Sequence, residues 1–211
     1  MKHIFLQRED NDFSRRAQGK RILANYEGCK FDLADELPKM FMVFKEALEN
    51  TKEQLLNFKP QFRSRALEAS IMQSFFAEKL ENYFSSKVFR GKYKRLILRV
   101  NGYLILFKKL NNKGYPMNIK TVNVQSILNQ QQVLDLFADS DYNDEPLLYF
   151  GYQVNRFGEY HSPQLVYIDD NIIKFSISLD EEGGMQVLSE NSTPVETSPS
   201  LRRVIKLNKA N

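Results

Sequence analysis

Two β-prone runs, Tyr93–Val100 and Tyr103–Lys109, meet at Asn101-Gly102. An Asn-Gly pair between such runs signals a hairpin, because a type I′ turn needs two residues that tolerate positive φ and its twist matches the flanking strands. A two-residue turn also sets the register. Val100 faces Tyr103, Leu98 faces Ile105 and Leu96 faces Phe107, one continuous apolar face of the kind a core-facing sheet requires. On the other face, apolar and basic residues alternate, with Ile97 opposite Leu106 and Arg95 opposite Lys108.

Helices precede the hairpin. Leu33–Phe58 reads as one, with Leu37, Met40, Phe41, Phe44, Leu48 and Leu55 close to one face, Asp35 as N-cap and Pro38 tolerated in the first turn. Lys59-Pro60 ends it, since the residue before proline is pushed out of helical geometry. Gln61–Ser85 is a second helix, with a stripe through Leu67, Ile71, Phe75, Leu80 and Phe84, and the two form an αα-hairpin. After the turn-rich loop 111–117, Thr121 can cap a helix over 122–137, with Val124, Ile127, Leu128 and Leu134 inward. Leu147–Val154, Gln164–Ile168 and Ile172–Leu179 read as strands, the last two joined by a turn at Asp169-Asp170-Asn171. The expected fold class is α+β, an N-terminal αα-hairpin packed on a mainly antiparallel sheet in the order α-α-β-β-α-β-β-β. Residues 1–24 are expected to be a polar arm and 25–179 a single α+β domain. Residues 180–211 should form a flexible acidic tail ending in a short element at Leu201–Leu207.

Composition excludes several classes of protein. A single cysteine, Cys29, rules out an intramolecular disulfide framework and a cysteine-rich zinc site, and it reads as a small buried hydrophobe. Two histidines, His3 and His161, leave little for a histidine metal centre, so no metal and no cofactor is expected. The longest apolar runs, Met40–Phe44 and Tyr103–Phe107, are too short to span a membrane. MKHIFLQRED lacks a signal-peptide core, which makes the cytoplasm the expected compartment. The hairpin strands carry none of the carboxylates that a metal-dependent nuclease would place there. Glu68, Glu78 and Glu81 could supply part of a metal site at most, and Glu78 and Glu81 are better suited to pairing with Lys79 or Lys87. His161, in GEYHSP, could act with Asp169 or Asp170, but it reads as a turn histidine.

The net charge of +4 conceals an uneven distribution. Residues 1–81 carry +1, residues 82–134 carry +10 with no carboxylate at all, and residues 135–211 carry −7. A basic segment of this length attracts polyanions and speeds their encounter, unless carboxylates from elsewhere in the fold neutralise it. The hairpin register sets Lys94 opposite Lys109 and Arg95 opposite Lys108, with Lys92 and Lys113 just beyond. Like charges directly across a strand pair destabilise it by roughly 0.2–1 kcal/mol, so folding alone gives no reason to gather them. Tyr93, Phe107 and Tyr115 offer stacking surface nearby, and cations interleaved with aromatics suit single-stranded nucleic acid. Asn118, Lys120 and Thr121 add polar reach at the start of the following helix, where an anion is favoured, although Thr121 can equally cap that helix and Asn118 close a turn.

The run LILFKKLNNKGYPMNIKT, then Gln130 and Gln131, then LLYFGYQVNRFGE resembles a family of bacterial mobile-element proteins. The resemblance covers about residues 33–178. Its pattern falls here on Phe107, Lys108, Lys109, Leu110, Gly114, Asn118, Ile119, Thr121, Gln130, Gly151 and Tyr152, with Lys120 where the pattern has proline. Such proteins are encoded beside a regulator that joins a helix-turn-helix to a zinc-peptidase-like domain, an arrangement like a toxin–antitoxin or phage-defence pair. The resemblance implies an effector with that regulator as partner, and it assigns no catalytic residues. The expected ligand is nucleic acid, bound through Lys92, Lys94, Arg95, Lys108, Lys109, Lys113, Asn118, Lys120 and Thr121. Two alternatives stand beside it: a non-enzymatic module docking an acidic partner protein, and a metal-independent ribonuclease using Lys, Arg and Tyr.

Overall fold

The computed structural model describes residues 19–91, 95–118, 121–131 and 145–179, together with the backbone of 185–187. Among these residues four α-helices, α1 (Tyr26–Asp32), α2 (Glu36–Leu56), α3 (Arg65–Phe84) and α4 (Val122–Leu128), accompany seven strands. The strands are β1 (Val88–Gly91), β2 (Arg95–Val100), β3 (Tyr103–Lys109), β4 (Leu147–Val154), β5 (Tyr160–Asp169), β6 (Ile172–Leu179) and β7 (Met185–Val187). They form one sheet in chain order. Every neighbouring pair is antiparallel except β3 and β4, which run parallel because the chain crosses between them through α4. The α+β class with helices first and a mainly antiparallel sheet is therefore the observed one.

The hairpin has the expected turn and register. Asn101 and Gly102 take φ of 49° and 81°, and Val100 pairs with Tyr103, Leu98 with Ile105 and Ile97 with Leu106. Its turn is pinned to the helices: Asn101 Nδ2 donates to the Asp32 carbonyl (2.5 Å) and the Tyr103 hydroxyl to Asp32 Oδ2 (2.9 Å). Leu98, Val100, Tyr103 and Ile105 enter a core with Met40, Phe41 and Phe44 of α2 and Met72, Phe76 and Leu80 of α3. The opposite face is a second core: Ile97, Leu104, Leu106, Tyr149, Val166 and Ile168 are covered by Leu110 and by Ile127 and Leu128 of α4. Three layers result, because the segment after β3 folds back across the sheet and buries the face on which apolar and basic residues alternate.

Several expected elements differ in extent. Asp35 makes no side-chain cap, since α1 leads directly into α2 through the turn 33–35, whereas Pro38 does sit in the first turn. Helix α1, capped by Asn25 on the Gly28 N–H (2.6 Å), and strand β1 carry too few residues to show a period. Along α3 the buried line is Met72, Phe76, Leu80 and Phe84: Leu80 and Phe84 are as expected, while Met72 and Phe76 lie one residue beyond Ile71 and Phe75, which with Leu67 are half-buried.

Helix α4 stops at Leu128 rather than 137. Gln130, at φ 53°, turns the chain and its side chain enters the sheet. Its Nε2 donates to the carbonyls of Leu147 (2.9 Å) and Ile168 (2.7 Å), and its Oε1 accepts from the Leu147 N–H (3.0 Å), which clamps β4 to β5. Residues 19–24, part of the expected arm, are docked. Arg21, 2% exposed, donates its N–H to the Gln130 carbonyl (2.8 Å), and Lys20 pairs with Asp169 (2.9 Å). The backbone of Met185–Val187, within the expected tail, adds β7 to β6. Residues 1–18, the remainder of the tail and Leu201–Leu207 lie outside the described residues.

Candidate functional site

Carboxylates from other elements reach one end of the acid-free segment. Lys87 pairs with Glu36 of α2 (3.4 Å), Arg90 with Glu81 of α3 (3.0 Å), and Arg99 holds Glu145 with Nε at 2.8 Å and Nη2 at 2.6 Å. No such ion pair ties Lys108, Lys109 or Lys113 to a carboxylate among the described residues. Lys92, Lys94 and Lys120 lie outside the described residues. The unneutralised cations thus sit where β3 ends, away from the Asn101-Gly102 turn.

Their geometry differs from the expected rim of a two-stranded ribbon. The β2–β3 ladder ends at Ile97–Leu106, so Leu96 and Phe107, and Arg95 and Lys108, are not ladder partners. Beyond that point the Lys109 carbonyl accepts from the Met117 N–H (2.8 Å), because the returning loop takes the place beside β3. Strand alternation then parts the two lysines: Lys108 follows Leu104 and Leu106 onto the α4 face, and Lys109 follows Ile105 and Phe107 onto the α2–α3 face. Lys109 is exposed, while Lys108 is half-buried. Burial, followed by repulsion from Arg95, holds the Lys108 ammonium below its ordinary pKa. Arg95 therefore remains close to Lys108 although the two are not paired.

Tyr149 lies buried on the same face, its phenol pushed up by desolvation and pulled back by Arg21 and Arg95. The Arg21 guanidinium is itself lowered to about 10 by burial, with Tyr149 opposing. Arg21, Arg95 and Lys108 therefore bring positive charge to one region of the second face. Gly151, the ladder partner of Lys108, lets β4 lie close against the end of β3 and Leu110. A Cβ at Gly151 would stand 2.2 Å from the Lys108 carbonyl oxygen and 2.6 Å from Leu110 Cγ.

The loop after β3 is built on Asn111. Its Oδ1 accepts from the N–H groups of Lys113 (2.8 Å) and Tyr115 (3.0 Å), and Gly114 at φ 80° donates to the Asn111 carbonyl (2.9 Å). The Tyr115 hydroxyl donates to the Asn171 carbonyl (3.1 Å), which fastens the loop across the second face. Asn118 follows Met117 and so lies one residue from the Lys109 backbone contact. It lines an open groove of about 710 Å³ with Tyr115, Met117, Val124, Leu128 and Asn171. Thr121 caps α4 by accepting from the Val124 N–H (3.2 Å), so its hydroxyl serves the helix.

Other candidates are not assembled. Glu81 pairs with Arg90, and Glu46, not Glu78, takes Lys79 (3.1 Å). No group of three potential metal ligands occurs among the described residues. His161 belongs to β5, bonded through Nδ1 to Ser162 Oγ (2.8 Å), whereas Asp169 and Asp170 stand at the far end of that strand on Lys20. Cys29 is fully buried, its thiol pushed up to about 12 by desolvation.

Sequence reasoning missed the turn Asn155–Glu159. It repeats the Asn111 scheme bond for bond: Asn155 Oδ1 accepts from Phe157 N–H (2.9 Å) and Glu159 N–H (3.0 Å), and Gly158 at φ 88° donates to the Asn155 carbonyl (3.1 Å). The shared Asn-x-x-Gly spacing of NNKGY and NRFGE was the available signal. No helix among the described residues is long and apolar enough to cross a membrane. Comparison with protein-family models, with curated proteins and with solved structures finds no match to this chain.

Proposed function

We propose that this chain binds nucleic acid as the effector half of a two-gene bacterial system, with a regulator protein as its partner. Phosphates would be held by Lys108 and Lys109 around the end of β3, with Arg95 and Lys113 beside them and Asn118 on the loop, Thr121 being confined to capping. Lys92, Lys94 and Lys120, outside the described residues, would add to the same basic segment. One observation carries the reading. Of the cations in the acid-free segment, Lys87, Arg90 and Arg99 have carboxylates brought to them, whereas Lys108 is half-buried beside Arg95 with no carboxylate paired to it among the described residues. Burying a charge is unfavourable unless something pairs with it, and a polyanion supplies that pairing when it binds. The effector assignment draws on the motif resemblance, and no catalytic residue is assigned.

Retention of single-stranded RNA and DNA at low salt tests the binding. Wild type should retain both, and Lys108→Glu with Lys109→Glu should abolish retention while leaving the unfolding free energy from urea titration within about 1 kcal/mol of wild type. Retention by that variant equal to wild type would refute the reading. A stoichiometric complex with an acidic protein, with no nucleic acid retained, would assign the same cations to a protein partner. Arrest of a bacterial culture on induced expression, relieved by the neighbouring gene, tests the effector role.

A further inference from the structure

The turn Asn155–Glu159 begins three residues past Tyr152, the ladder partner of Lys109, so it stands about 10 Å beyond the cations at the same end of the sheet. Its backbone is fully determined by Asn155 and Gly158, and none of those hydrogen bonds involves the side chain at 157. The matching turn at Asn111 carries Lys113 in that position, so the scheme has no requirement for an aromatic. Phe157 is nevertheless there, 75% exposed, with the Arg156 guanidinium 4.8 Å from its ring centroid. The first turn of α3 borders the same end: Glu68 acts electrostatically on Tyr160, and the exposed Arg65 is its neighbour one helical turn away. The tip thus presents an aromatic face under a cation, with the Glu159 carboxylate held by Asn155 Nδ2 (2.6 Å) and with Arg65 and Glu68 on the neighbouring helix.

We propose that Phe157 is a stacking platform for an unpaired base and Arg156 its companion on the phosphate, so that the ligand is single-stranded nucleic acid rather than duplex. The proposal rests on the nucleic-acid reading above and narrows it. A duplex keeps its base faces stacked on one another, and only an unpaired base can lie on an exposed ring. The arginine over the ring serves both partners, because it faces π-density on one side and leaves its remaining donors for phosphate.

The chain contains no tryptophan, so Phe157→Trp places a single fluorophore at the tip. Titration with a short single-stranded oligoadenylate at low salt should quench that fluorophore, and the same length of duplex should quench it far less. Phe157→Ala should weaken single-strand binding by about 5- to 100-fold and leave duplex binding and the urea midpoint unchanged. Retention of the single strand with unchanged Trp fluorescence, together with wild-type affinity in Phe157→Ala, would overturn the stacking role and leave the nucleic-acid reading standing. Absence of any retained nucleic acid would overturn both. A blue shift on vesicles of anionic phospholipid, with no response to oligoadenylate, would assign the tip to a bilayer and overturn the stacking role.

Discussion

Lys108 is half-buried and close to Arg95, and desolvation is the larger of the two effects that depress its pKa. A depressed pKa in the folded state means that the unfolded chain holds this proton more tightly. The contribution of Lys108 to stability is therefore complete only above its ordinary value of 10.5 and is lost as pH falls through the folded value. At neutral pH the charge opposes folding. Lys108→Met should accordingly raise the urea midpoint at pH 7 and at the same time weaken oligonucleotide retention, and the gain in stability should shrink as pH approaches 10.5. A lower midpoint at pH 7 would show that the lysine is held by a stabilising interaction. Two neighbours are constrained by backbone. Gly151→Ala should destabilise by about 2–3 kcal/mol, since the added methyl meets a carbonyl oxygen that belongs to the ladder. Gln130→Ala should lose about 2–4 kcal/mol in denaturant titrations, because it leaves the Leu147 N–H and two strand carbonyls without their partner.

Among the elements, the β2–β3 hairpin is the one whose local chemistry decides it. Gly102→Val should destabilise by roughly 1–2 kcal/mol, because a β-branched residue is forced to φ 81°, and thermal or urea unfolding checks the value. That hairpin was legible in the sequence in its turn and in its partners from Val100–Tyr103 to Ile97–Leu106, since turn type and side-chain alternation are local properties. So were α2, α3, β4 and β6, which are long enough to show their period. Helix α1 and strand β1 were not, being shorter than the repeat that would reveal them. Helix α4 was read too long because its end is set by tertiary contacts: the hydrogen bonds of Gln130 to strands 17 and 38 residues away. The site was legible only in part. The lack of carboxylates was plain, but which cations would be neutralised depended on Glu36, Glu81 and Glu145 arriving from elsewhere in the fold. The expected cross-strand pairing of Arg95 with Lys108 failed because the 111–117 loop displaces β2 from the end of β3, and alternation sets Lys108 and Lys109 on opposite faces.

Among the described residues, charge is sorted only in part. Near the hairpin turn and the start of β4, Lys87 and Arg99 meet acids from α2 and the approach to β4, and Arg90, opposite Leu96 toward the other end of β2, meets Glu81 of α3; at the far end of β3 and β4, the lysines, the Asn155 turn and the exposed Phe157 have no such acid brought to them. A ligand that spans both faces of the sheet at that end would touch Lys108 on one side and Lys109 on the other, so the two lysines report on separate phosphates. For single strands the logarithm of the binding constant falls with the logarithm of salt concentration at about 0.7 per phosphate neutralised. The most direct test is therefore this slope, measured on single-stranded RNA for wild type and for Lys108→Gln with Lys109→Gln. The account predicts a wild-type affinity that falls steeply with salt and a slope shallower by about 1.4 in the double variant. Equal slopes for the two proteins, or a wild-type affinity insensitive to salt, would contradict it.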